Sequence, residues 1–132
     1  MPKERQLLII SPDKAIWRFA RSFRRVGWQV EIAPNLAAGM RLFEAKPTAY
    51  DLVIMDENHG CENGSFHFVL SGLTEVRNLN PRCKVFVLIT LQERKDSEIK
   101  DLAGKVHAII TEKHSWPRVF ARSARYFRYR VQ

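Results

Sequence analysis

Asp51-Leu52-Val53-Ile54-Met55-Asp56 is a run of four apolar residues closed at each end by an aspartate. A stretch with no polar position suits a strand buried on both faces, as parallel strands of α/β proteins are. Its final aspartate then stands at the carboxyl edge of the sheet, where open α/β folds place their ligand sites. Two other apolar runs end in a comparable way. Thr90 closes Val85-Phe86-Val87-Leu88-Ile89-Thr90, and Lys113 follows Ala108-Ile109-Ile110-Thr111-Glu112. A carboxylate, a hydroxyl and an ammonium at three strand ends point to a site that accepts and holds a phosphoryl group.

On either side, short apolar runs alternate with amphipathic stretches. Leu7-Leu8-Ile9-Ile10 reads as a buried strand. Ser11-Pro12 has the form of a helix start, with Ser11 as N-cap and Pro12 at the first helical position. The helix that follows sets Ile16, Phe19, Ala20 and Phe23 on one face and Lys14, Arg18, Arg21 and Arg25 on another, and Gly27 ends it. Val30 to Ala33 is a second strand. Asn35 caps a second helix that turns Leu36, Met40 and Phe43 inward, with Pro47 just past its end. After the Asp56 strand, His59 to Gly64 is a loop, and a third helix begins near Ser65 or Phe66 and ends by Asn80-Pro81. A short helix around Ser97 to Ala103, a strand from Val106 to Thr111 and a closing helix from about Ser115 to Tyr129 complete the chain. In the closing helix Phe120, Ser123, Ala124 and Phe127 face inward, and Arg118, Arg122 and Arg125 face out. Five strands alternating with five helices predict an open parallel sheet covered on both faces, as one domain over residues 1–132.

The composition fits that reading. A chain of 132 residues, 45% hydrophobic, suits one globular domain. No apolar stretch is long enough to span a bilayer and no signal-peptide pattern opens the chain, so a cytoplasmic protein is expected. Cys61 and Cys83 are isolated, and His59, Cys61 and His67 fit no closed zinc spacing. No glycine-rich phosphate loop follows the first strand, which removes the usual anchor of a nucleotide enzyme. The net charge of +8 is concentrated in the first and last helices and favours an acidic partner, nucleic acid or an anionic surface.

In the order of its elements and in several local stretches the chain resembles a response-regulator receiver domain, the phospho-acceptor module of two-component signalling. The resemblance covers about residues 6–130. Gly27-Trp28-Gln29-Val30-Glu31-Ile32-Ala33 resembles the family's passage from first helix to second strand, and Asp51 to Asp56 its acceptor strand. Asn63-Gly64 falls where the family has an Asp/Asn-Gly pair, and Thr90 and Lys113 match its switch hydroxyl and site lysine. The implied fold is the flavodoxin-like doubly wound sheet with strand order 2-1-3-4-5. The implied chemistry is attack of the Asp56 carboxylate on a phosphoryl group carried by a sensor histidine kinase or a phosphotransfer protein. Lys113 and Thr90 would contact the phosphoryl oxygens. Mg²⁺ would be held by Asp56, Asp13 and the backbone carbonyl of Asn58.

The match breaks in four places. Ser11 and Pro12 stand where the family has two adjacent metal-binding acids, with Asp13 one place later. His59-Gly60 replaces Met-Pro after the acceptor, Ile110 stands at the aromatic switch position, and His114 replaces the proline after the lysine. Mg²⁺ binding is therefore expected to be weakened, and Asp13 has a second reading as a first-turn acid that complements the helix dipole. The expected function is an atypical phospho-accepting switch, not a metabolic enzyme. A phosphorylation-independent pseudo-receiver that binds proteins is the alternative. The family fold sets the first and last helices side by side, so their arginines would form one basic face for an acidic protein surface. A nucleic-acid-binding domain ranks last, because no recognition motif accompanies the charge.

Overall fold

The protein is described by a computed structural model covering residues 5–14, 16–56, 66–88, 100, 104–110, 117 and 119–121. Five strands form one parallel sheet: β1 (Arg5–Ile10), β2 (Trp28–Ala33), β3 (Leu52–Asp56), β4 (Lys84–Leu88) and β5 (Ala108–Ile110). Their order is β2-β1-β3-β4-β5, as the resemblance implies. Three helices connect the first four strands: α1 (Ile16–Arg25), α2 (Leu36–Ala45) and α3 (Phe66–Leu79). Pro117 and Val119 to Ala121 are helical and belong to the expected closing helix. Most of the expected fourth helix, and the remainder of the fifth, lie outside the described residues.

Each central strand divides its side chains between two cores, because successive strand residues point to opposite faces. Leu8, Ile10, Val53, Met55, Val85 and Val87 pack with Leu36, Met40, Phe43, Leu73 and Val76 of α2 and α3. Leu7, Ile9, Leu52, Ile54, Phe86 and Leu88 pack on the opposite face with Ile16 and Phe23 of α1 and with Val119 and Phe120. Every residue of β3 is buried, so the strand that carries Asp56 has no solvent-facing side. Burying one such aliphatic side chain is worth roughly 1.5–3 kcal/mol. β3 therefore makes a rigid base for whatever its last residue does.

Local chemistry sets the element ends. Asn35 caps α2 by accepting a hydrogen bond from the Ala38 amide at 2.8 Å. Gly27, at φ 98°, takes the left-handed conformation that reverses the chain between α1 and β2. Gly39 lets α2 lie directly on β1, since a Cβ there would fall 2.5 Å from the Ile10 side chain. The expected start of α1 needs correction. Residues 11–14 are not helical, and α1 begins at Ile16. Ser11 is not its N-cap, because the Ser11 hydroxyl closes a turn on its own strand end and reaches across to β3. Among the described residues no helix is long and apolar enough to cross a membrane.

Candidate functional site

The register of the sheet builds the site. Ile10 pairs with Met55 and Met55 with Val87, so the next residues along β1 and β3, Ser11 and Asp56, stand side by side at the carboxyl edge. Ser11 is tied into the edge by its amide, which donates to the Ala33 carbonyl at 2.9 Å and prolongs the β1–β2 ladder. Its hydroxyl donates to Asp56 Oδ2 at 2.9 Å. Ser11 Oγ also accepts from the Asp13 amide at 3.1 Å, a serine turn two residues long. Asp56 and Ser11 are 3% and 2% exposed. A carboxylate removed from water to this degree needs hydrogen-bond partners, and a bond to a charged group is worth about 1.5–3 kcal/mol. Ser11 supplies one of them.

Asp56 thus occupies the expected position. Asp13 is half-buried on the loop that follows Ser11, and its amide is joined to Asp56 through the serine hydroxyl. Pro12 is exposed and has no ligating side chain. Thr90, Lys113 and Asn58 lie outside the described residues, as do Ile110's side chain, His59, Cys61 and the Asn63-Gly64 pair. The sequence marks Ser11 as a helix N-cap and as a departure from the family pattern; its bond to Asp56 follows from the register of β1 against β3, which the residue order does not display.

Of the expected magnesium ligands only Asp56 and Asp13 lie among the described residues, with Ser11 between them. Mg²⁺ prefers octahedral oxygen coordination from one or two carboxylates, phosphate oxygens and water. Here one neighbour of Asp56 is a neutral hydroxyl that already gives its proton to Oδ2. Among the described residues no group of three His, Cys, Asp or Glu side chains converges to hold a metal.

No family model and no curated protein matches the chain. Similarity to solved structures is extensive. A two-component response regulator from Clostridium difficile is 17% identical, with 95% of this chain and 97% of that one aligned at a TM-score of 0.72. A response regulator protein from Burkholderia pseudomallei, solved with a phosphorylated aspartic acid, calcium ion and citrate, is 17% identical at a TM-score of 0.66 over 89% of this chain and 65% of that one. A streptococcal protein from a family of redox sensors evolved from two-component response regulators is 14% identical at a TM-score of 0.74, over 94% of this chain and 51% of that one. At such identities the likeness is one of fold. The chain has the receiver-type flavodoxin-like fold, with Asp56 at the end of its third strand.

Proposed function

We propose that the chain is a receiver domain, a phospho-accepting switch of a two-component phosphorelay in the cytoplasm, with Asp56 as acceptor. The observation that carries this reading is a buried aspartate closing the central strand of a sheet ordered β2-β1-β3-β4-β5. In the reaction a carboxylate oxygen of Asp56 attacks the phosphorus of a phosphohistidine. A P–O bond forms, the P–N bond breaks, and the released imidazole takes up a proton from solvent. The donor is a sensor histidine kinase or a phosphotransfer protein. Ser11 orients the carboxylate by holding Oδ2, and the neutral hydroxyl spares Asp56 a like-charged neighbour. Thr90 and Lys113 are proposed to bind the incoming phosphoryl oxygens. Should Mg²⁺ bind, Asp56, Asp13 and the Asn58 carbonyl are its proposed ligands, and the ion would offset charge on the phosphoryl group.

The Ser11 to Asp56 bond also supports a second reading, a pseudo-receiver whose sealed carboxylate serves protein binding without phosphorylation. One experiment separates the two. The protein is incubated with phosphoramidate or acetyl phosphate, with and without Mg²⁺, and analysed by intact-mass and peptide mass spectrometry. Slow addition of one phosphoryl group, absent from Asp56→Asn, supports the receiver. No modification under any condition supports the pseudo-receiver.

A further inference from the structure

Helix α1 carries a surface that the Asp56 chemistry does not use. Trp17 is 61% exposed. With Lys14, Arg18 and Arg21 it lines an open groove of about 470 Å³. Arg18, Arg21 and Arg25 are exposed on α1 and follow one another at intervals of three or four residues, and the exposed Lys14 lies in the turn just before the helix. Residues so spaced on a helix stand about 5–6 Å apart in one row. α1 has no acidic residue, and among the described residues none of these four cations is in an ion pair.

We propose that this face binds single-stranded nucleic acid, with Trp17 stacking on a base and the cation row holding successive phosphates. The chain's pI of about 9.9 and net charge of +8 supply the wider field that a polyanion requires. An acidic protein surface would satisfy the arginines and leave the flat indole face without a specific counterpart. A single strand offers a charge and an aromatic plane in every nucleotide, which is the pairing this groove presents. In a duplex the bases are stacked on one another and beyond the reach of a side chain on a helix surface. The sequence ranks nucleic acid last for want of a recognition motif, and the exposure of Trp17 is the observation that changes the order. The inference stands apart from the Asp56 reading.

The test uses the whole chain and a fluorescein-labelled twelve-nucleotide oligothymidylate, followed by fluorescence anisotropy. Poly-L-glutamate and a duplex of the same length serve as competitors. With three or four phosphates neutralised, affinity should fall roughly 20- to 50-fold between 50 and 200 mM NaCl. Trp17→Ala should weaken binding about tenfold while Trp17→Phe retains most of it, because the loss is one of stacking. Arg18→Glu with Arg21→Glu should remove binding. Circular dichroism should show each variant folded, since all three positions are exposed. Poly-L-glutamate should compete poorly at equal charge. The proposal is overturned if the oligonucleotide fails to bind at 50 mM NaCl, or if Trp17→Ala binds as well as the parent. Equal competition by poly-L-glutamate also overturns it, and identifies the face as a docking surface for acidic proteins.

Discussion

Ser11 and Asp56, 45 residues apart in the chain, are joined by a buried hydrogen bond of 2.9 Å from the serine hydroxyl to Oδ2. The bond couples the end of β1 to the end of β3, and through the Asp13 amide it reaches the loop leading into α1. A carboxylate at position 11 would place a second negative charge beside Asp56. The serine supplies an oriented dipole instead. With no second acid beside Asp56, weaker attraction for a cation is the expected consequence.

Restoring two acids should reverse that balance. Ser11→Asp with Pro12→Asp is expected to raise Mg²⁺ affinity at least about tenfold, because carboxylates are the preferred protein ligands of this ion. It should also lower the thermal midpoint in metal-free buffer through repulsion at Asp56, and Mg²⁺ should recover the loss by binding the folded state. Metal titration and melting curves with and without EDTA test both parts. An unchanged Mg²⁺ affinity in the double variant would show that the acid pair alone does not limit the site.

The close approach of α2 to β1 gives a second expectation. Gly39→Ala would bring a methyl group to 2.5 Å from Ile10 Cδ1 and Cγ1, and Ile10 is completely buried. Overpacking of a core costs about 1–3 kcal/mol. Alanine's helix preference returns only about 0.5–1 kcal/mol. Urea denaturation should therefore find Gly39→Ala less stable by about 1–2 kcal/mol. Adding Ile10→Val should recover part of the loss, since it removes one of the clashing atoms. Additive losses in the double variant would argue that the helix relaxes away from β1 instead.

Much of this architecture is legible from residue order because local and tertiary preferences agree. Leu52 to Met55 are apolar at every position, and both faces of β3 are covered. Asn35 caps α2 as its side chain and position suggest, and Gly27 takes the positive φ expected where α1 gives way to β2. What the order of residues conceals depends on neighbours from elsewhere in the chain. β1 extends back to Arg5 and β2 to Trp28 because these two residues pair with each other, although Arg5 and Gln6 break the apolar pattern. Ser11 and Pro12 have the composition of a helix start. The hydroxyl of Ser11 is drawn away from that role by a carboxylate that only the sheet register brings near. Trp17 has the character of a core residue, and only the packing of α1 through Ile16, Ala20 and Phe23 leaves it outside.

Cys83 is expected to be chemically silent in the folded protein. Burial pushes its thiol up to about 12, with a further contribution from the Asp51 carboxylate and a smaller opposing one from Lys84. The reactive species is the thiolate, so a buried thiol held protonated resists both alkylation and oxidation. In a Cys61→Ala variant Cys83 is the single thiol, and iodoacetamide at pH 8 should label it only at the rate of unfolding. Rapid labelling under native conditions, or oxidation by dilute peroxide without loss of structure, would show that Cys83 is not held buried and protonated as described.

His107 pins the start of the β4–β5 pairing twice: its amide donates to the Val85 carbonyl at 2.9 Å, and its ring Nδ1 accepts from the Val85 amide at 3.1 Å. A protonated imidazole carries a hydrogen on that nitrogen and cannot accept. Burial, then the positive charges of Lys84 and Arg77, lower the His107 pKa below its ordinary value near 6.5. The folded state therefore binds this proton less readily than the unfolded chain does. The contribution to stability is complete above about pH 6.5, where both states hold the neutral ring. It declines as pH falls from there and levels off below the lowered folded value. Urea denaturation of the parent and of His107→Ala at pH 7.5, 6.5 and 5.0 isolates this term from those of the other histidines. The stability difference between the two proteins should shrink as pH falls. A difference that stays constant across the three pH values would mean that the ring is not the neutral acceptor its geometry describes.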